Sequence, residues 1–162
     1  MTSEILLRSV VEDDLPVFFG NQLDPEANHM AAFTSKDPTD REAFDAHWDR
    51  ILDDETVIIR TIALDGRVAG SVLSYEESGE PEVSYWIGRA YWGQGVATRA
   101  LADFLEHANA TRPIYARVAK DNVASTRVLE KCGFTTIDDV MGFANARGEE
   151  IAELVLELKD RE

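Results

Sequence analysis

The sequence is poor in the residues that staple small proteins or bind metals. Among 162 residues there is one cysteine, Cys132, and there are three histidines, His29, His47 and His107. A single thiol excludes an internal disulfide framework, and histidines this far apart make no local metal motif, so no metal is expected. No apolar run approaches the roughly 20 residues needed to cross a bilayer. The opening MTSEILLRSVVEDD is acidic where a secretory leader is basic and then apolar, so a cytoplasmic address and no membrane partner are expected. Positive charge is scarce as well: 16 Lys and Arg against 31 Asp and Glu give a formal net charge of −15. That balance argues against a general nucleic-acid binder, because neutralising phosphates takes clustered cations. No repeat, linker or low-complexity stretch interrupts the chain. With 44% apolar and 29% charged residues, it has the composition of a globular protein with one core, and residues 1–162 are expected to form a single domain.

The few cations are unevenly placed. Residues 1–65 hold 15 acidic and 5 basic side chains, whereas residues 89–131 hold 4 acidic and 7 basic ones, among them Arg89, Arg99, Arg117, Lys120, Arg127 and Lys131. This cationic segment contains a glycine-rich turn, within Glu82 to Ala108, EVSYWIGRAYWGQGVATRALADFLEHA. A strand-like run passes Gly93 and Gly95 and continues as an amphipathic helix, with Ala97, Leu101, Phe104, Leu105 and Ala108 on one face. The first N–H groups of a helix have no intrahelical partner and sit at the positive end of its dipole, which suits an anion such as a phosphate. A basic segment alone reads as a solvated face. Its coincidence with the turn favours a polyanionic ligand.

The remaining pattern supplies a scaffold. Ile5 to Arg8 reads as a strand, and Glu12 to Asp14 followed by Pro16 reads as the start of a helix. Residues 21–40 contain two Asp-Pro pairs and no sustained period, so they are expected to be mainly loop, with a helical turn near Glu26 to Met30. Thr39 or Asp40 caps a helix carrying Phe44, Trp48, Ile51 and Leu52. Two β-rich runs flank Asp65-Gly66 as a hairpin, and a charged turn, Glu76 to Pro81, leads to a strand over Glu82 to Gly88. After the glycine turn and its helix come a strand over Ile114 to Val118, a helix capped by Asp121 or Asn122 and ending at Gly133, and a last hairpin, Phe134 to Val140 with Ile151 to Leu158. The order predicts a mixed α/β fold with about seven mostly antiparallel strands and about four helices. The strands at Glu82 and Ile114 would be parallel neighbours joined by a right-handed crossover.

A phosphate-binding turn of the Walker type needs a Gly-Lys-Ser or Gly-Lys-Thr ending, and none follows Gly95. A dinucleotide fingerprint needs glycine or alanine where Thr98 stands, after the first strand of a parallel sheet; here the turn follows an antiparallel meander. Tyr91 to Leu101 (YWGQGVATRAL) together with Asn122 to Phe134 (NVASTRVLEKCGF) resembles instead the GNAT family of N-acetyltransferases, and more closely its branch of ribosomal-protein N-terminal acetyltransferases. Gly95 and Ala97 match the family's glycine motif, while Trp92 occupies a position that is usually Gln or Arg.

The resemblance implies a single-domain GNAT fold whose sheet splays between the fourth and fifth strands, and acetyl-CoA as cosubstrate. It places the coenzyme A pyrophosphate on the main chain of Gln94, Gly95, Val96, Ala97 and Thr98, with Arg127 a further contact. The pantetheine arm would run along main-chain groups of Trp86, Ile87 and Gly88, one N–H polarising the thioester, and would meet Asn122, which also reads as a helix cap. Glu82 matches the position of a catalytic base and also reads as the solvated end of an acidic turn. The family's usual acid, a tyrosine seven residues after the asparagine, is replaced by Leu129; Ser125, one turn after Asn122, stands as a donor to the sulfur or as an ordinary surface hydroxyl. Tyr85, Tyr91, Tyr115 and Cys132 read as packing residues. The implied reaction is direct attack of a primary amine in a ternary complex. Its acceptor, walled by Asn28 to Phe33 and Met141 to Ala146, would be cationic if the acidic N-terminal half selects it. Alternatives are a non-catalytic acyl-CoA sensor with the same fold and a nucleotide-binding protein using the same turn. Monomer and homodimer are both left open.

Overall fold

Period-two alternation writes one sheet. A computed structural model of the chain describes residues 4–159, so the ends of the expected 1–162 domain lie outside the described residues. Seven strands, β1 (Ile5–Arg8), β2 (Ile58–Leu64), β3 (Arg67–Glu77), β4 (Glu80–Ile87), β5 (Ile114–Ala119), β6 (Thr135–Ala144) and β7 (Glu149–Leu158), lie in the order β1-β2-β3-β4-β5-β7-β6. Every neighbouring pair is antiparallel except β4 with β5. The helices are α1 (Leu15–Gln22), α2 (Pro25–Ala31), α3 (Arg41–Asp53), α4 (Val96–Asp103) and α5 (Val123–Lys131). None is long and apolar enough to cross a membrane among the described residues.

Local chemistry explains most boundaries. Asp65 and Gly66 both have positive φ, 51° and 82°, as a two-residue hairpin turn requires. Ser78 and Gly79, at 54° and 80°, repeat the device, so the charged turn expected over Glu76 to Pro81 contracts to two residues while Glu76 pairs with Pro81 and Glu77 with Glu80. Within residues 21–40, where a loop with a helical turn near Glu26 to Met30 is expected, that turn is a seven-residue helix. The Asp24 carboxylate accepts the Glu26 and Ala27 N–H groups at 2.9 and 3.2 Å, and Pro25 is the first helical residue. One of the two Asp-Pro pairs was thus a helix start. After α4 the chain winds more widely through Phe104–Ala108, with Asn109 N–H on the Phe104 carbonyl at 3.0 Å. Arg112 donates to the Leu105 carbonyl at 2.8 Å there.

Adjacent residues on a strand serve opposite faces. On one face Ile62, Val72, Val83 and Ile87 pack under α4 and α5 with Leu101, Phe104, Leu129 and Phe134. On the other, Ile59 and Leu73 meet Phe18 of α1 and Phe44 and Trp48 of α3. The second face is anchored near the start of the chain. Buried Asp14 takes a two-pronged ion pair from Arg8 at 2.8 and 2.9 Å and accepts from Thr61 at 2.7 Å and from Val11 N–H at 3.0 Å. Burial by itself would raise its carboxyl, but these donors outweigh burial and hold it at about 2.

The feature that positions the site is a parting in the sheet. β4 and β5 are paired only at Glu82 opposite Tyr115, although β5 is bonded along its other edge to β7 over six residues. From Glu82 toward Gly88 the two strands therefore diverge, with α4 packed over the opening.

Candidate functional site

Two glycines make the turn at the wide end of that opening. Gly93 and Gly95 have φ of 75° and 74°, in the left-handed region, and a Cβ built on either meets nothing within 4 Å. Gly95 is the N-cap of α4, and the first intrahelical bond runs from Arg99 N–H to the Gly95 carbonyl at 3.1 Å. The N–H groups of Val96, Ala97 and Thr98 precede that bond and have no partner in the helix. The turn is braced from beneath. Trp92 donates its indole N–H to the Ile87 carbonyl at 2.9 Å, and Gln94 donates to the Ala90 carbonyl at 3.1 Å. Arg89 lies 5.9 Å from the Trp92 ring centroid and ion-pairs with Asp24 at 3.4 Å and with Glu26 at the start of α2. Trp92, the departure from the motif, therefore locks the turn to the end of β4.

Hydrogen-bond parity decides which main-chain groups of β4 face the opening. Gly88 N–H donates to the Ala69 carbonyl at 2.8 Å, and Ser71 stands opposite Trp86. In an antiparallel pair the exchanging residues alternate, so Trp86 and Gly88 turn their main-chain groups to β3, while Tyr85 and Ile87 turn theirs toward β5. Of the three positions expected along the pantetheine, only Ile87 faces the opening. Its carbonyl is taken by Trp92, and its N–H faces the gap.

Across the opening from Tyr85 lies α5. Asn122 caps this helix, accepting Ser125 N–H at 3.3 Å, and its amide donates to the Met30 carbonyl at 3.2 Å. The Ser125 Oγ lies 2.8 Å from the Tyr85 hydroxyl. Burial pushes that phenol up to about 12, so it stays protonated through the neutral range. Tyr85, read from the sequence as packing, is therefore a hydrogen-bonded group at the parting of the strands. Leu129, at the position where the resemblance implies a tyrosine, is 3% exposed in the core. Arg127 is exposed on the outer side of α5. Half-buried Cys132 packs against the core with its thiol pushed up by burial, and it donates to the Thr98 carbonyl at 3.6 Å.

Glu82 is not a solvated turn residue. It is 4% exposed, with Arg117 Nε at 3.3 Å and the Tyr75 hydroxyl at 3.4 Å. Burial raises its carboxyl above the ordinary value, and the Arg117 guanidinium opposes part of that rise. Arg117 also reaches Glu153 at 3.3 Å, so its charge is shared. Alternation places Glu82 on the same face of β4 as Ser84 and Trp86, the face toward α1 and α3.

The two walls expected for an acceptor do meet. Ala146 N–H donates to the Ala32 carbonyl at 3.1 Å, Asn145 to the Thr34 carbonyl at 2.7 Å and Arg147 to the His29 carbonyl at 2.7 Å. They border a hollow of about 300 Å³ lined by Asn28, His29, Lys36 and Asn145 among others. Among the described residues no carboxylate lines it, so the hollow itself gives no support to a cationic acceptor. Among the described residues no group of three or more His, Cys, Asp or Glu is placed to hold a metal.

The model of the acetyltransferase (GNAT) domain family matches residues 4–135. No curated protein matches the sequence. Solved structures share the architecture. A spermidine N-acetyltransferase from Vibrio cholerae, in complex with CoA and spermine, superposes with a TM-score of 0.76 at 16% identity, over 94% of this chain and 95% of that one. Mycobacterium smegmatis RimJ, in complex with CoA-disulfide, gives 0.77 at 22% identity, over 96% and 81%. A ribosomal-protein-alanine N-acetyltransferase from Brucella melitensis gives 0.79 at 18% identity, over 96% and 99%. At such identities the likeness is one of fold, and the family model reaches across most of the sequence. On these grounds the chain belongs to the GNAT acetyltransferase domain family.

Proposed function

We propose that this protein is an acetyl-CoA-dependent N-acetyltransferase that moves the acetyl group to a primary amine, on a small molecule or a protein N-terminus, by direct attack in a ternary complex. The observation that carries the reading is the parting of β4 from β5 directly before a glycine turn with unengaged helix N–H groups. An extended amide-bearing arm pairs with an open strand edge, and a pyrophosphate sits on a helix N-terminus; coenzyme A has both parts. Open space over Gly93 and Gly95 admits close approach. Family membership and CoA-bound structural relatives support the same ligand.

Placement supports the following residue roles. Main-chain N–H groups of Val96, Ala97 and Thr98, with Gln94 and Gly95 shaping the turn, hold the pyrophosphate, and exposed Arg127 on α5 is a further cation for the coenzyme. Ile87 N–H polarises the thioester carbonyl, which stabilises the oxyanion as the amine attacks. Glu82, with its carboxyl raised by burial, takes the proton of the attacking ammonium through water. Asn122 holds the start of α5, so that the Ser125 hydroxyl faces the departing sulfur. Ser125 gives the thiolate its proton, and the neutral Tyr85 phenol behind it resupplies one. Tyr85 thus stands in for the phenol that Leu129 cannot provide.

The buried Leu129 also favours a second reading, an acyl-CoA sensor that binds without turnover. Calorimetric titration with coenzyme A, followed by thiol release from acetyl-CoA over a panel of amines, separates the two. Binding with amine-dependent thiol release supports the enzyme. Binding with no release from any amine supports the sensor, and no binding at all refutes both.

A further inference from the structure

On the α1 and α3 side of β4 there is a cavity of about 170 Å³ in whose lining only Tyr85 has a role above. Its walls are the rings of Phe18, Phe44 and Trp48, the first stacked on the third at 4.9 Å, with Ser84 and Trp86 of β4 as its floor. No Asp, Glu, Lys or Arg lines it among the described residues. His47, the imidazole in its lining, has its pKa lowered by burial and by Arg50, which favours its neutral form. The indole N–H of Trp86 is buried and has no hydrogen-bond partner among the described residues. Native structures leave few buried donors unsatisfied, and each such group calls for an explanation. Asn21, Gln22 and Ser71 add uncharged polar groups to the lining beside the rings; since about 150 Å³ accepts one benzene ring, the volume admits a single ring or a branched alkyl group together with a polar neighbour.

Resting on the acetyltransferase reading, we propose that this cavity is the acceptor's side-chain subsite. It takes an uncharged, single-ring or branched apolar group whose neighbouring carbonyl oxygen accepts the Trp86 N–H. The acceptor class is then a hydrophobic α-amino amide, as at the N-terminus of a peptide beginning with an apolar residue, and not a polyamine. A second ammonium would enter a lining with no carboxylate to meet it. The α-amine of such a ligand leaves the cavity along the face of β4 that Ser84 shares with Glu82, which brings it to the base.

The test compares three amines: L-phenylalaninamide, phenethylamine, which keeps the ring and loses the carbonyl, and spermidine. Each is measured by thiol release from acetyl-CoA and by calorimetric binding to the CoA-loaded protein, with wild type and Trp86→Phe, which removes the N–H and keeps a ring. Phenylalaninamide is expected to have the highest kcat/KM. Its KM should rise about tenfold in Trp86→Phe, while that of phenethylamine changes less than about twofold. Ser84→Phe, at an exposed position that floors the cavity, should abolish binding of phenylalaninamide and leave coenzyme A affinity unchanged. Preference for spermidine, or an equal effect of Trp86→Phe on both aromatic amines, overturns the proposal while the acetyltransferase reading stands. Failure to bind coenzyme A overturns that reading instead, and calorimetry of phenylalaninamide with the free protein then decides the cavity on its own.

Discussion

A methyl group added at Gly95 should separate backbone strain from loss of the phosphate cradle. Gly95 has φ 74° and nothing within 4 Å of an added Cβ, so Gly95→Ala meets no steric clash in the free protein. Its cost is that of holding an L-residue in the left-handed region, roughly 1–2 kcal/mol. For a domain of this size that is a fall in Tm of about 2–8 °C. Gly66, in the turn between β2 and β3, has φ 82° and equally open surroundings, so Gly66→Ala carries the same strain far from α4. Both variants should lose similar stability in thermal unfolding. Only Gly95→Ala should lose coenzyme A affinity, because its methyl stands at the N-cap where the pyrophosphate approaches the N–H groups of Val96 to Thr98. The expected loss is at least about tenfold in Kd, near 1.4 kcal/mol, against less than about twofold for Gly66→Ala. Calorimetry with coenzyme A measures it. Equal affinities in the two variants would refute the placement of the pyrophosphate on this turn, and a larger Tm loss for Gly95→Ala alone would show that the local packing has been misread.

Three further outcomes are expected. Glu82→Gln should lower kcat about 10²-fold with little change in coenzyme A affinity. In wild type, kcat/KM should climb with pH through an apparent pKa above the ordinary carboxylate value, and the variant should lose that limb; an unchanged profile removes Glu82 from the mechanism. Tyr85→Phe and Ser125→Ala should each slow turnover about tenfold, and the double variant no more than the slower single one, because the two hydroxyls act in series 2.8 Å apart. Additive losses would mean independent roles. Asp14→Asn should destabilise the protein by about 2–3 kcal/mol, less than a fully buried pair because Arg8 is partly exposed. The folded carboxyl sits at about 2, below its unfolded value near 3.9, so its contribution is present above pH 4 and is lost as pH falls through 2. Acid titration of stability should therefore be steeper for wild type than for the variant over that window.

Much of the scaffold was legible because its signals are local. Asp40 caps α3 through its bond to Ala43 N–H, Asn122 caps α5, and Gly133 with φ 98° ends it, all at positions the pattern indicated. The same local rules indicated a helical turn near Glu26 to Met30, and the cap and first residue supplied by Asp24 and Pro25 extend it to the seven residues of α2. The site was legible only in part. Periodicity put Glu82 on one face of β4 and Tyr85 on the other, but it did not show that a residue at the end of a charged turn would be buried against Arg117, or that a packing tyrosine would meet a serine 40 positions away.

The sequence by itself determined the conformation of the glycine turn, the caps and the hairpins, and through the motifs around Gly95 and Asn122 the family. These depend on residues within a few positions of one another, where φ preferences and side-chain caps act directly. The parting of β4 from β5 was implied by the resemblance, but only the tertiary structure decided that β7 lies between β5 and β6, and that Ile87 offers its N–H to the opening while Trp86 and Gly88 do not. The physical reason is that strand order and hydrogen-bond parity are properties of pairs distant in sequence. One exchanged bond, Gly88 to Ala69, sets the direction of every main-chain group along β4.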